Sequence, residues 1–140
     1  MLMPKTRLDK VVQLRERAED DARASFVDAR VSLERAKAGV ERAVAACRAD
    51  ARSVGPAELW VLDEQAHRRA LQALRSAEVA LQDAAHGELT ARDGWLAARQ
   101  EADAARRARE RRVIEIMYEG ARRERRDADE VATLRFNARP

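Results

Sequence analysis

The sequence is poor in the residues that build a compact hydrophobic core. Aromatic residues make up only 4% of its 140 residues, and it has just five glycines and three prolines. A globular domain of this length buries a three-dimensional core of large apolar side chains. Here charged residues account for 38% of the chain, and alanine, arginine, glutamate and leucine dominate. This composition is typical of long helices that share a narrow apolar seam.

Cysteine and long apolar runs are also scarce. The single cysteine, Cys47, excludes an internal disulfide and a cysteine metal cluster, and it suits a small residue buried in the seam of a protein from a reducing compartment. The opening MLMPKTRLDK becomes charged early and has no apolar core of a secretory signal. No run of 18 apolar residues is present to span a bilayer. We therefore expect a soluble, cytoplasmic protein.

The charge balance and the missing motifs argue against several function classes. The 28 basic and 25 acidic residues are mostly interspersed and leave a net charge of only +3, so the total does not favour nucleic-acid binding. There is no GxxxxGK[ST] loop to hold nucleotide phosphates. His67 and His86 lie too far apart along a helix to share a metal ion, and their flanks lack the spacing of zinc ligands. We predict that the protein is not an enzyme and has no cofactor or metal.

Apolar residues in the first third of the chain recur every three or four positions, as a two-helix seam requires. Extended backwards, the pattern reaches Val12 and Leu8 through Arg15 and Glu19, which are poor seam residues, so we expect looser packing there. The first helix is predicted from about Lys5 to about Arg52. Its seam residues are Ala22, Phe26, Ala29, Leu33, Ala36, Val40, Ala43 and Cys47.

The stretch SVGPAELW, residues 53 to 60, is where glycine and proline adjoin. Gly55 can take the left-handed conformation that ends a helix, and Pro56 suits the first turn of the next one. Glu58 falls in that first turn and complements the helix dipole. The stretch predicts a reversal at about 53–57 that makes the two helices antiparallel neighbours.

A second seam follows the reversal, and it is interrupted at Glu88. Gly87 and Gly94 lie inside this pattern, where each costs about 1 kcal/mol relative to alanine and could mark a bend. The second helix is predicted over about 58–136. The fold class is all-α, with residues 1–140 forming one long antiparallel two-helix coiled-coil hairpin with a protruding C-terminal helix. The second seam comprises Leu74, Ala77, Leu81, Ala84, Ala91, Trp95, Ala98, Ala102 and Ala105.

The second helix is predicted to outlast the first. Counting from a turn centred near Gly55 sets residue 8 opposite roughly residue 102. About thirty C-terminal residues then lack a partner, and at 1.5 Å per residue they make an overhang of roughly 45 Å. The overhang is amphipathic, so its apolar stripe implies another protein, a membrane surface or self-association. A helical wheel separates a basic arc of Arg107, Arg111, Arg112, Arg122, Arg123, Arg125 and Arg126 from an apolar arc of Val113, Ile116, Met117 and Ala121.

Four interpretations of this overhang compete. Nucleic-acid binding explains the arginines but leaves the apolar arc unused and lacks aromatic stacking platforms. Membrane-surface binding suits a basic amphipathic helix, yet glutamates are interleaved and no bulky aromatic residue beyond Tyr118 anchors the apolar arc. A coiled-coil dimer would cover the stripe, although Arg106 and Arg109 interrupt its edge. Insertion into a protein partner is the favoured interpretation.

Several segments resemble one known family. An N-terminal RLDKVVQLRERAEDDA, a reversal of the form VGPAEL, then ARRARERRVIE and a charged tail with RRERRDADEVA are similar to the FliJ/YscO family. These are the small coiled-coil stalk proteins of flagellar and injectisome type III export. The resemblance covers essentially the whole chain in length and in order of features. It leaves open whether the system is a flagellum or a virulence-associated injectisome.

The resemblance implies a helical hairpin similar to the central stalk of the rotary F-type ATPase. Its termini would enter the hexameric export ATPase ring and its tip would point to the membrane export gate, at the inner-membrane export apparatus. The stalk would couple ATP hydrolysis to the gate without activity of its own, and it would also handle export chaperones. On this basis the expected ring contacts are Arg111, Arg112, Val113, Ile116, Met117, Arg122, Arg123 and Arg126.

Three consecutive large apolar residues, Trp60, Val61 and Leu62, lie at the expected hairpin tip. They either close the end of the seam or dock on the gate, with Trp60 as an anchor because buried tryptophan often dominates interface energies. The family places an aromatic residue and a leucine one turn apart after the reversal, and the matching positions are His67 and Leu71. His67 departs from that pattern because it lacks the aromatic hydrocarbon.

Overall fold

The computed structural model of the chain describes residues 3–49 and 55–139. It consists of two long helices, α1 (Leu8–Arg48) and α2 (Ala57–Asn137), packed against each other. None of the described residues lies in a β-strand. The prediction of an all-α helical hairpin is therefore confirmed.

A pair of side chains closes the start of α1. The Thr6 N–H donates to Asp9 Oδ2 at 3.2 Å, and the Thr6 hydroxyl donates to Asp9 Oδ1 at 3.0 Å. The Asp9 N–H in turn donates to the Thr6 carbonyl oxygen at 3.2 Å. These bonds satisfy amide groups that the first turn of a helix leaves without partners, in the manner of a capping box.

The predicted reversal falls largely on residues 50–54, which lie outside the described residues, as does the predicted end of the first helix. Pro56 directly precedes α2, and its carbonyl oxygen accepts a bond from the Leu59 N–H at 3.0 Å. Gly55 does not cap α1, because that helix already ends at Arg48. The prediction for Gly55 was wrong, and no glycine in the described ranges has a positive φ. A Cβ on Gly55 would lie 3.0 Å from Leu59 Cδ1, so the glycine allows a close approach instead.

Backbone contacts divide the chain into two compact units. We call residues 1–19 and 98–140 the terminal unit, because it contains both chain ends, and residues 20–97 the hairpin unit. In the hairpin unit the seam residues predicted in both helices are all half-buried, including Cys47, and the interrupting Glu88 lies on the same face. The helix continues through Gly87 and Gly94, where an added Cβ would meet nothing within 4 Å.

An aromatic stack sets the register of the hairpin unit. The rings of Phe26 and Trp95 lie 5.6 Å apart between centroids and are inclined by 8°. Counting from a turn at Gly55 would have placed Phe26 near Ala84. That count was wrong because it assumed a tight turn centred at Gly55, whereas α1 already ends at Arg48 and α2 begins at Ala57.

The terminal unit contains the most deeply buried side chains of the described chain. Val12 and Val113 are each 6% exposed, and Ala102 is fully buried. The expectation of looser packing at the start of α1 was therefore wrong. Alanine at position 102 leaves room for a close approach of the two helices. Charged residues that the sequence pattern marked as poor seam residues lie beside this core and pair across it, as described below.

The register of the terminal unit corrects the predicted overhang. Leu8 shares a cleft with Arg112 and Ile116, not with residue 102. Residues 117–139 are all exposed, so the unpartnered part of α2 begins at Met117 and not near residue 106. From residue 117 to residue 137 it is roughly 30 Å long at 1.5 Å per residue. We call Met117–Asn137 the bare segment.

Candidate protein-interaction site

Arg106 joins the two helices just below the bare segment. Its guanidinium donates to Glu16 Oε1 at 3.1 Å, to Glu19 Oε2 at 3.3 Å and to Asp103 Oδ1 at 2.8 Å. The hydrogen bond to Glu16, followed by that to Glu19, raises the pKa of Arg106 above its ordinary value. Arg106 is therefore committed within the chain and is not a free break in an interaction stripe.

A second arginine makes a similar contact nearer the start of α1. Arg109 Nε donates to Asp9 Oδ1 at 2.7 Å, and Arg15 pairs with Glu101 at 2.7 Å. The backbone N–H of Thr6 holds the pKa of Asp9 below its usual range, and the Thr6 hydroxyl and Arg109 act in the same direction. These ion pairs fix which residues of α2 remain available to a partner.

The residues predicted to contact an ATPase ring separate into two groups. Val113 is buried within the terminal unit, and Ile116 is half-buried in the cleft against the start of α1. Met117 is 57% exposed, and the predicted arginines are exposed as well. Arg112 is held on its own helix by Glu115 at 3.1 Å and Glu119 at 3.9 Å. The exposed arginines of this group are Arg111, Arg112, Arg122, Arg123 and Arg126.

The exposed apolar stripe is rotated from the predicted one. Val113 and Ile116 turn towards the start of α1, while Ile114 and Tyr118 are exposed. Because successive helix residues are 100° apart, one position separates the buried face from the exposed face. The spacing of Ile114, Tyr118 and Ala121 was a usable signal in the sequence. Further exposed large apolar residues of the bare segment are Val131, Leu134 and Phe136.

The basic and apolar faces meet at Tyr118. The Arg122 guanidinium carbon lies 6.0 Å from the centre of the Tyr118 ring, at the limit of a cation–π contact. This arrangement keeps the arginine close to the apolar stripe. A partner with acidic and apolar groups side by side could engage both faces.

The beginning of α2 carries a second exposed apolar patch. Trp60 is 61% exposed, and Val61 and Leu62 are similarly open to solvent. Leu59 also belongs to this patch, although the sequence analysis did not single it out. Of the two positions suggested by the family resemblance, His67 is half-buried and Leu71 is at the margin of exposure.

The described residues provide neither a metal site nor a membrane span. No group of three or more histidine, cysteine, aspartate or glutamate side chains in the described ranges is placed to hold a metal ion. Within the same residues, no helix is long and apolar enough to cross a membrane.

Comparison with known proteins identifies the family. A family model described as "Flagellar FliJ protein" matches residues 4–140. The chain belongs to the FliJ family. FliJ-family proteins are structural components of the flagellar export apparatus, and this confirms the resemblance drawn from the sequence. A search of curated proteins and a search of solved structures found no match.

Proposed function

We propose that this FliJ-family protein is a non-enzymatic stalk whose bare segment enters a hexameric export ATPase ring. The stalk couples ATP hydrolysis in the ring to a membrane export gate. The patch around Trp60 contacts this gate. The protein also binds export chaperones. It works in the cytoplasm, beside the inner-membrane export apparatus. The flagellar description of the family model favours a flagellar system over an injectisome.

The observation that carries the proposal is the exposure of the whole bare segment. Its residues have no partner in α1, yet large apolar side chains and a row of arginines follow its length. An isolated helix gains little stability from its own sequence, and exposed apolar stripes mark interaction surfaces. A ring with an acidic and apolar bore would cover both faces. Proposed ring contacts are Met117 with Arg111, Arg112, Arg122, Arg123 and Arg126, and Ile116 at the adjoining cleft.

The ATPase reaction offers a direct test. We expect the wild-type protein to raise the hydrolysis rate of the cognate export ATPase. Arg122→Glu/Arg123→Glu/Arg126→Glu should abolish most of this stimulation, because it reverses three charges on the bare segment. The matched control is Arg23→Glu/Arg35→Glu/Arg42→Glu, which makes the same charge change on exposed positions of the hairpin unit. The proposal fails if wild type has no effect, or if both triple variants act alike.

The gate contact needs its own measurement. Trp60→Ser should weaken binding to the purified cytoplasmic domain of the gate by at least about tenfold, since a buried tryptophan anchor is worth roughly 2 kcal/mol or more. Leu71→Ser and His67→Ala test the positions taken from the family. Val79→Ser is the control, because Val79 is an equally exposed apolar residue elsewhere on α2. Equal binding by the Trp60 and Val79 variants would remove Trp60 from the contact.

A structural dimer is the second candidate. Ile114, Tyr118 and Phe136 are large and exposed, and a second copy would bury them as readily as a ring would. Light scattering over a concentration series tests this alternative. A stable dimer that Tyr118→Ser dissolves, together with an unchanged ATPase rate, would favour a structural coiled coil over a stalk.

A further inference from the structure

A cleft opens in the terminal unit beside the first residue of α1 and just before the bare segment. It encloses about 440 Å³, within the range of roughly 300–1,000 Å³ that is usual for binding pockets. Leu8 and Ile116 contribute apolar lining and are both half-buried. Basic groups line it from both sides, with Lys5 and Arg7 just before α1 and Arg112 on α2. The remaining lining residue is Thr6.

The nearby carboxylates leave this cleft positively charged. Asp9 already binds Thr6 and Arg109, and it is not among the lining residues. Glu115 and Glu119 reach Arg112 from its own helix. Lys5 and Arg7 are both exposed and form no ion pair within the described part of the chain. Their charges are available to an incoming group.

We infer that the cleft binds an acidic segment of a protein partner, with one large apolar side chain seated against Leu8 and Ile116. Carboxylates of that segment would pair with Lys5 and Arg7, which line the same cleft as Leu8 and Ile116. The inference rests on the proposed function, because it takes the partner to be the export ATPase and places this contact at the mouth of its ring. It adds a socket at the start of α1 to the contacts of the bare segment.

The mixed lining favours a polypeptide over other anions. A free phosphate would use the basic groups but would leave the apolar surface exposed to water. The basic groups would also attract an anionic bilayer. A helix that lies on a membrane surface, however, carries a continuous apolar face. Here Glu115 and Glu119 lie beside Arg112, so that face is interrupted by acidic groups. A peptide can present carboxylates and one apolar side chain at the required separation.

Fluorescence anisotropy of the full-length protein tests the inference. The probe is a short labelled peptide of alternating glutamate and serine with one central leucine, and its comparison replaces that leucine with serine. We expect the leucine peptide to bind at least about tenfold more tightly, because binding removes the apolar surface of the leucine side chain from water. Equal affinity of the two peptides would overturn the inference, since it would show that the peptide is held by charge alone and not by the apolar lining of the cleft.

Protein variants locate the binding. Lys5→Glu/Arg7→Glu should weaken the leucine peptide by at least about tenfold through lost charge pairing. Arg23→Glu/Arg42→Glu makes the same change in net charge away from the cleft and should leave the affinity within about twofold. Circular dichroism of both variants controls for helix content. If the two variants bind alike, or if inorganic phosphate or phosphatidylglycerol vesicles bind the cleft as well as the leucine peptide does, the inference is wrong.

The two proposals can fail separately. If the leucine peptide binds at the cleft while the wild-type protein leaves the ATPase rate unchanged, the socket stands and the ATPase partner is wrong. If wild type stimulates the ATPase, and Lys5→Glu/Arg7→Glu stimulates it equally, the stalk stands and the socket plays no part in it.

Discussion

Arg109 Nε lies 2.7 Å from Asp9 Oδ1, which ties the first turn of α1 to α2 across 100 residues of sequence. The same carboxylate accepts the N–H and the hydroxyl of Thr6. Asp9 therefore both caps α1 and holds its register against α2. The boundary between the paired and the bare parts of α2 depends on this junction.

Asp9→Ala should loosen the start of α1. The substitution removes both bonds from Thr6 and the partner of Arg109, so amides of residues 8–14 should exchange with deuterium faster. Hydrogen-exchange mass spectrometry measures the effect by segment. Asp20→Ala is the control, because Asp20 is exposed and has no such role at a helix start. Equal protection in the two variants would show that Asp9 does not hold the junction.

Acidification should loosen the same junction at low pH only. Because the folded-state pKa of Asp9 is below its ordinary value of 3.8, its stabilising contribution is present above that value and is lost as pH falls through the lower folded pKa. Faster exchange at residues 8–14 should therefore appear below about pH 4. In Asp9→Asn this low-pH component should be missing. A loosening centred near neutral pH would contradict the assignment to Asp9.

Ala102→Leu should destabilise the terminal unit. Ala102 is fully buried, and inserting a larger side chain into a packed site costs about 1–3 kcal/mol. Ala104→Leu is a matched control, since Ala104 is exposed on the same helix and should change stability by less than about 0.5 kcal/mol. Urea unfolding followed by circular dichroism compares the two. Similar unfolding midpoints for the two variants would mean that the helices accommodate a leucine at position 102 with no loss of stability.

The stack of Phe26 on Trp95 should contribute to the stability of the hairpin unit. Phe26→Leu keeps an apolar side chain but loses the ring, for which we expect a cost of about 0.5–1.5 kcal/mol. Trp60→Ser removes a larger but exposed ring and should alter the unfolding free energy by less than about 0.5 kcal/mol. Tryptophan fluorescence should shift to longer wavelength in Phe26→Leu as Trp95 becomes more exposed. If Trp60→Ser lowers the unfolding free energy more than Phe26→Leu does, the stack is not the more important of the two aromatic contributions.

The candidate site was only partly predictable from the sequence. The arginine-rich character of the segment from Arg111 to Arg126 is a property of composition, and those side chains are exposed. Val113 and Ile114 are adjacent apolar residues of similar size, and helical periodicity alone did not show which of them meets α1. Packing against the start of α1 buries Val113 and leaves Ile114 exposed.

The sequence by itself determined the two helices and the seam of the hairpin unit, because an apolar residue every three or four positions has only one favourable helical arrangement. The tertiary structure alone decided the register. The spacing of apolar residues does not fix how α1 is aligned along α2, and the observed alignment is the one that forms the stack of Phe26 on Trp95 and the ion pairs of Arg106 and Arg109. That choice decides how much of α2 is left bare, because every residue of α2 that α1 covers is unavailable to a partner.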